Sequence, residues 1–152
     1  MGQYHMVFNL DRREYLHPHR FGDGLKLMEF SNSEGGTMTA LAILLAASNG
    51  RGGGDCRYDG PHAALVGSWA GDRIAIVGDY AEEDDLSAKG VKDAREVYAA
   101  EGWTEMSEPL RKIIESDGLF TFLENEQGFV TRKCRVWKSS LITSNQAMRR
   151  EQ

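Results

Sequence analysis

The stretch Thr37-Met38-Thr39-Ala40-Leu41-Ala42-Ile43-Leu44-Leu45-Ala46-Ala47-Ser48 decides the fold. Ala and Leu are among the best helix formers. Gly35-Gly36 breaks the chain ahead of it, Thr37 is placed to cap it, and Asn49-Gly50 supplies a left-handed stop behind it. Residues 38–48 are apolar nearly all round, and a helix without a polar face must be buried on most sides. The expectation is a central helix with the rest of the core built around it.

Outward from that helix, the chain reads as hairpins and short helices. Tyr4, Met6, Phe8 and Leu10 alternate as in a half-buried strand. Asp11-Arg12-Arg13 is a polar turn, and residues 14–16 return as a second strand. Residues 25–30 suggest a short helix. Apolar runs at 63–69 and 73–80 flank Ala70-Gly71-Asp72, the signal of a second hairpin. Val91, Ala94, Val97 and Tyr98 recur at helical spacing, and Ser107 is placed to cap a further helix with Pro109 in its first turn. A third hairpin is expected from 119–123 and 129–137, followed by a polar tail over 139–152 that frays. The expected fold is α+β: a single domain over residues 1–138, with a mainly antiparallel sheet built from hairpins around the buried apolar helix 38–48.

Composition narrows the function classes. The chain has 152 residues, 41% hydrophobic and 27% charged, with a net charge of -5, which describes an ordered domain and excludes a disordered one. No apolar run approaches the ~20 residues of a membrane span, and the first residues lack the basic and apolar regions of a secretory signal. Cys56 and Cys134 are too few for a disulfide framework and match no zinc spacing. A cytoplasmic location follows as the expectation. Residues 79–126 carry 14 acids and 5 bases, whereas 127–152 carry 6 bases and 1 acid, so the two segments would pair within one chain or between copies in a homo-oligomer. Overall acidity argues against nucleic acid. The interleaved face of Phe129, Thr131, Lys133, Arg135 and Trp137 reads first as a half-covered sheet face, and second as a base-stacking surface.

Glycine is abundant, and its distribution matters. Of 17 glycines, 12 fall within 22–78, and four precede Asp, at Asp23, Asp55, Asp72 and Asp79. One reading is turn chemistry, since Gly takes positive φ and Asp bonds its own backbone. The other is several loops converging on a ligand, with Arg51, Asp55, Asp72 and Asp79 as binding residues. His17-Pro18-His19 with Asp23 offers two imidazoles and a carboxylate, a donor set suited to a divalent metal ion. The 50–55 loop is a poor phosphate loop because it follows a helix, whose C-terminal end is negative. Arg51 reads there as a cation placed at that end. Ser68 lacks the Gly-x-Ser-x-Gly spacing of a nucleophile elbow.

Three stretches carry a resemblance. Gly2-Gln3-Tyr4 with Asn9-Leu10-Asp11 is the first, and the run from Glu14-Tyr15-Leu16-His17-Pro18-His19 through Phe21-Gly22-Asp23-Gly24-Leu25-Lys26-Leu27 is the second. The third is Gly67-Ser68-Trp69-Ala70-Gly71-Asp72-Arg73-Ile74 through Gly78-Asp79-Tyr80. Over roughly the first 80 residues the chain resembles a family of small uncharacterised proteins of bacteria and their phages. The resemblance implies no activity or catalytic residue, only a phage or mobile-element setting.

The expected function is a non-enzymatic cytosolic binding protein that takes a protein partner or a nucleotide-like ligand through its Gly-Asp loops. In a phage setting it would inhibit host defence. The alternative is a small metal-dependent enzyme acting on a phosphorylated or nucleotide substrate, with His17, His19 and Asp23 holding the ion and Asp55 or Asp79 as base. A third class is inhibition of a protein partner through the acidic 79–126 region.

Overall fold

The computed structural model describes residues 2–116. The expected hairpin of 119–137, the aromatic and basic face within it, and the 139–152 tail lie outside the described residues.

Four strands form one mixed sheet in the order β3-β1-β2-β4. Strand β1 (His5–Asn9) runs antiparallel to β2 (Glu14–Leu16), with Phe8 opposite Tyr15, and antiparallel to β3 (Ile74–Gly78), with Val7 opposite Ile76. Strand β4 (Thr104–Glu105) pairs parallel to β2, so the sheet is not wholly antiparallel. Helices α1 (Leu27–Phe30), α2 (Thr37–Leu45), α3 (Ala94–Ala99) and α4 (Ser107–Ile114) complete the α+β arrangement, together with a 3-10 turn over Pro18–Phe21.

Strand β1 is buried on both faces, not on one. Val7 faces a core containing Leu16, Leu44, Trp69, Leu110 and Ile114, drawn largely from α2 and α4. Met6 and Phe8 face a second cluster with Val77, Val97, Tyr98 and Trp103. The pleat sends successive side chains to opposite sides, and each side here has its own helical cover. Phe8 stacks on Tyr15 and meets Trp103 edge-on, the latter at 5.7 Å between ring centroids.

Helix α2 differs from its expected form. It ends at Leu45, not Ser48, and buries one face through Ala40, Leu41, Ile43 and Leu44 while Ala42 and Leu45 are exposed. It therefore packs one face into the core and leaves the other open, where burial on most sides is the expectation. The early end has a local cause: Gly67 and Trp69 donate their N–H groups to the carbonyls of Ile43 and Leu44, both at 2.9 Å. Those bonds satisfy carbonyls that the end of a helix leaves open.

The same contacts explain why 63–69 forms no strand. Its N–H groups are taken up by a 3-10 turn over Ala63–Leu65, by further tight turns, and by the end of α2, so the second hairpin does not form. Glycine is required at Gly67: φ is +77°, and a Cβ there would lie 2.6 Å from the Ala46 carbonyl oxygen.

Candidate functional site

Each Gly-Asp carboxylate has partners within the chain. Asp23 is buried and accepts from Thr37 N at 2.9 Å and Thr37 Oγ1 at 2.8 Å, so it caps α2 from outside the helix, with Gly36 at the N-cap position. A Cβ on Gly36 would run into Asp23 Oδ2. Asp55 Oδ2 accepts from Gly50 N, Arg51 N and Gly52 N at 2.7, 2.9 and 3.1 Å. These three amides make an anion nest that the chain fills with its own carboxylate. The N–H groups of Gly52, Arg51 and Gly50 hold the Asp55 carboxyl below its ordinary range.

Asp72 Oδ2 accepts from Asn9 Nδ2 at 2.9 Å and Arg12 Nε at 3.1 Å. Asp79 Oδ1 accepts from Tyr4 N at 2.8 Å, and Asp79 N donates to Tyr4 O. Tyr4 and Asn9 flank opposite ends of β1, about 16 Å apart at ~3.3 Å per residue. Asp23 sits at the start of α2, whereas Asp55 belongs to the loop after its end. Asp72 and Asp79 are thus held apart, as are Asp23 and Asp55. Arg51 is exposed and lies in the loop six residues beyond Leu45, where α2 ends.

His17 and His19 lie close, with ring centroids 5.2 Å apart. His17 Nδ1 accepts from His19 N at 3.3 Å, and His17 N donates to Ser107 Oγ at 2.8 Å, fastening the 3-10 turn to the start of α4. Burial and the neighbouring His19 push the His17 imidazole below its ordinary pKa. Among the described residues, the one group of three His, Cys, Asp or Glu side chains with ligand atoms within 4.8 Å of one another is Glu82, Asp84 and Asp85, all exposed. His17, His19 and Asp23 do not form such a group.

A groove of about 490 Å³ opens instead on the side of the sheet covered by α3. Its apolar lining comes from Leu10, Val91, Val97 and Ala99, and its polar lining from Arg13, Lys92, Asp93, Glu96 and Glu101, with Trp103 among them. The Arg13 guanidinium carbon lies 5.5 Å from the Trp103 ring centroid. Arg13 closes the β1–β2 turn, where Asn9 Oδ1 accepts from Asp11 N and Arg12 N while Asn9 O accepts from Arg13 N. Trp103 reaches the groove because Ala100 terminates α3 at φ +54° and accepts from Trp103 N at 3.0 Å.

None of Arg51, Asp55, Asp72, Asp79, His17, His19 or Asp23 lines this groove. Sequence reading missed Arg13, Lys92 and Trp103. The available signal was an arginine pair in a turn and a tryptophan outside any helical stripe. No helix among the described residues is long and apolar enough to cross a membrane. No protein-family model matches the chain, nor does any curated protein or solved structure.

Proposed function

We propose that this chain is a non-catalytic cytosolic binding protein that takes a segment of a partner protein in the groove between Arg13 and α3. The observation that carries the reading is the guanidinium of Arg13 held over the Trp103 ring in a groove of about 490 Å³. Ligand pockets run from roughly 300 to 1,000 Å³ and combine apolar walls with a few placed polar groups. Two bases and three acids line the groove, a formal charge of -1. That balance suits a peptide carrying both signs and opposes a nucleotide, whose phosphates need a positive field. Given the resemblance to phage and bacterial proteins, the partner class we propose is a host defence protein.

The test uses the full ¹⁵N-labelled chain titrated with capped peptides of mixed charge and, separately, with ATP. Peptides are expected to move the Trp103 indole N–H and the amides of Val91 and Glu96, with the effect weakening as salt rises. Ala99→Trp, which fills the groove, should abolish these shifts. Shifts with ATP but none with peptides would replace the protein-partner reading by a nucleotide one. Peptide binding unaffected by Ala99→Trp would move the site elsewhere.

A further inference from the structure

We infer that Arg13 is the specificity-determining residue of this groove, held in an unfavourable backbone conformation so that its guanidinium takes one carboxylate of the bound segment. The inference rests on the groove reading above and adds the group that is read. Arg13 has φ +55°, and only Ala100 shares a positive φ among the described non-glycine residues. At such a turn position Gly fits without strain and Asn at little cost, so the backbone itself does not call for arginine. Residues kept in sparsely populated conformations cluster where side chains act on ligands.

The charge environment gives the second argument. Arg12, Arg20, Arg73, Arg95 and Arg111 each pair with a carboxylate. Arg13 has no such partner among the described residues; its guanidinium carbon lies over the Trp103 ring. Attraction to a ring takes up the charge of a guanidinium but none of its N–H donors, whose fork matches a carboxylate. Glu96 and Glu101 line the same groove. They repel a phosphate dianion more than a single carboxylate, so an acidic side chain flanked by apolar or basic residues is the ligand that fits.

The full chain is titrated with the capped peptide Lys-Leu-Glu-Leu-Lys, with its Gln counterpart, and with inorganic phosphate, and the Trp103 indole N–H is followed. The Glu peptide should bind about ten-fold more tightly than the Gln peptide, the preference expected of one charge-assisted pair. In Arg13→Gly that preference should shrink to about two-fold or less, while the unfolding midpoint holds or rises by up to about 5 °C. Ala100→Gly relieves the same kind of strain outside the lining and should keep the preference. A ten-fold preference surviving in Arg13→Gly overturns the inference, as does a lower midpoint in that variant, which would mark Arg13 as structural. Phosphate binding more tightly than the Glu peptide overturns it too, and so does no shift at about 5 mM Glu peptide, beyond which affinity for one carboxylate is negligible. Ala99→Trp separates the two failures. If it abolishes binding while Arg13→Gly keeps the preference, only the role of Arg13 fails; if it leaves binding intact, the groove itself is wrong.

Discussion

Asn9 donates its side-chain N–H to Asp72 Oδ2 at 2.9 Å while its side-chain oxygen, Oδ1, accepts from the backbone N–H groups of Asp11 and Arg12. One fully buried side chain thereby ties the β1–β2 turn to the chain entering β3. Asn9→Ala should lower stability by about 2 kcal/mol, since two turn amides lose their partner and the Asp72 carboxylate loses one of two donors. Asn9→Asp should cost at least as much, because it sets a second negative charge against Asp72. Chemical denaturation with an unchanged m-value checks both.

Asp23 caps α2 from fourteen residues upstream. Asp23→Ala should destabilise the fold by about 1–3 kcal/mol, the cost of losing a cap and leaving buried donors open. Asp23→Asn, which retains an oxygen acceptor, should recover part of that. If excess Zn²⁺ raises the midpoint of the parent chain and fails to do so in Asp23→Asn, the carboxylate holds metal and not only the helix.

The Asp55 nest makes the 50–55 loop acid-sensitive. The carboxyl pKa is lowered in the folded state, so the ionised form favours the closed loop above the unfolded value of ~3.9. That contribution fades as pH falls through the lower, folded value. Protection of the Gly50, Arg51 and Gly52 amides, relative to their intrinsic exchange rates, should therefore fall on acidification below about pH 4. In Asp55→Asn the same amides should already exchange fast at neutral pH. Protection that is unchanged in Asp55→Asn would show the loop closed by other contacts.

The sheet separates two cores. Leu110→Ala removes packing on the α2 and α4 side, whereas Val97→Ala removes it on the α3 side. The first should cost about 2–5 kcal/mol. The two should add in the double variant to within about 0.5 kcal/mol, because they share no partners. A larger coupling would mean that β1 transmits strain between its faces.

Much of the local structure was legible, and its assembly less so. The period of Met6 and Phe8 identified a strand and the spacing of Ala94 and Val97 a helix, because side-chain alternation is a local property. That Val7 is covered as well depends on α2 and α4 arriving from elsewhere in the chain. The run at 63–69 was apolar enough for a strand, and no local signal announced that Gly67 and Trp69 would close the end of α2. The Gly-Asp pairs were correctly seen as unusual, yet composition could not say that the carboxylates of Asp55 and Asp79 would be answered by nearby backbone amides. Arg13 and Trp103 are ninety residues apart, and neither belongs to a motif, so their pairing was invisible before the fold was known.

Strand β1 lies near the N-terminus, yet His5 aligns with Gly78 and Asn9 with Ile74. During synthesis its apolar residues must wait about seventy residues for that neighbour, which at ~5–20 residues per second is roughly 4–14 s. Throughout that interval Val7 and Phe8 have at most the short β2 strand beside them. The nascent chain is most exposed to misassociation where the finished protein is most deeply buried. Completion of β3 gives β1 its second neighbour in the sheet, but its two faces close only when α3 and α4 follow.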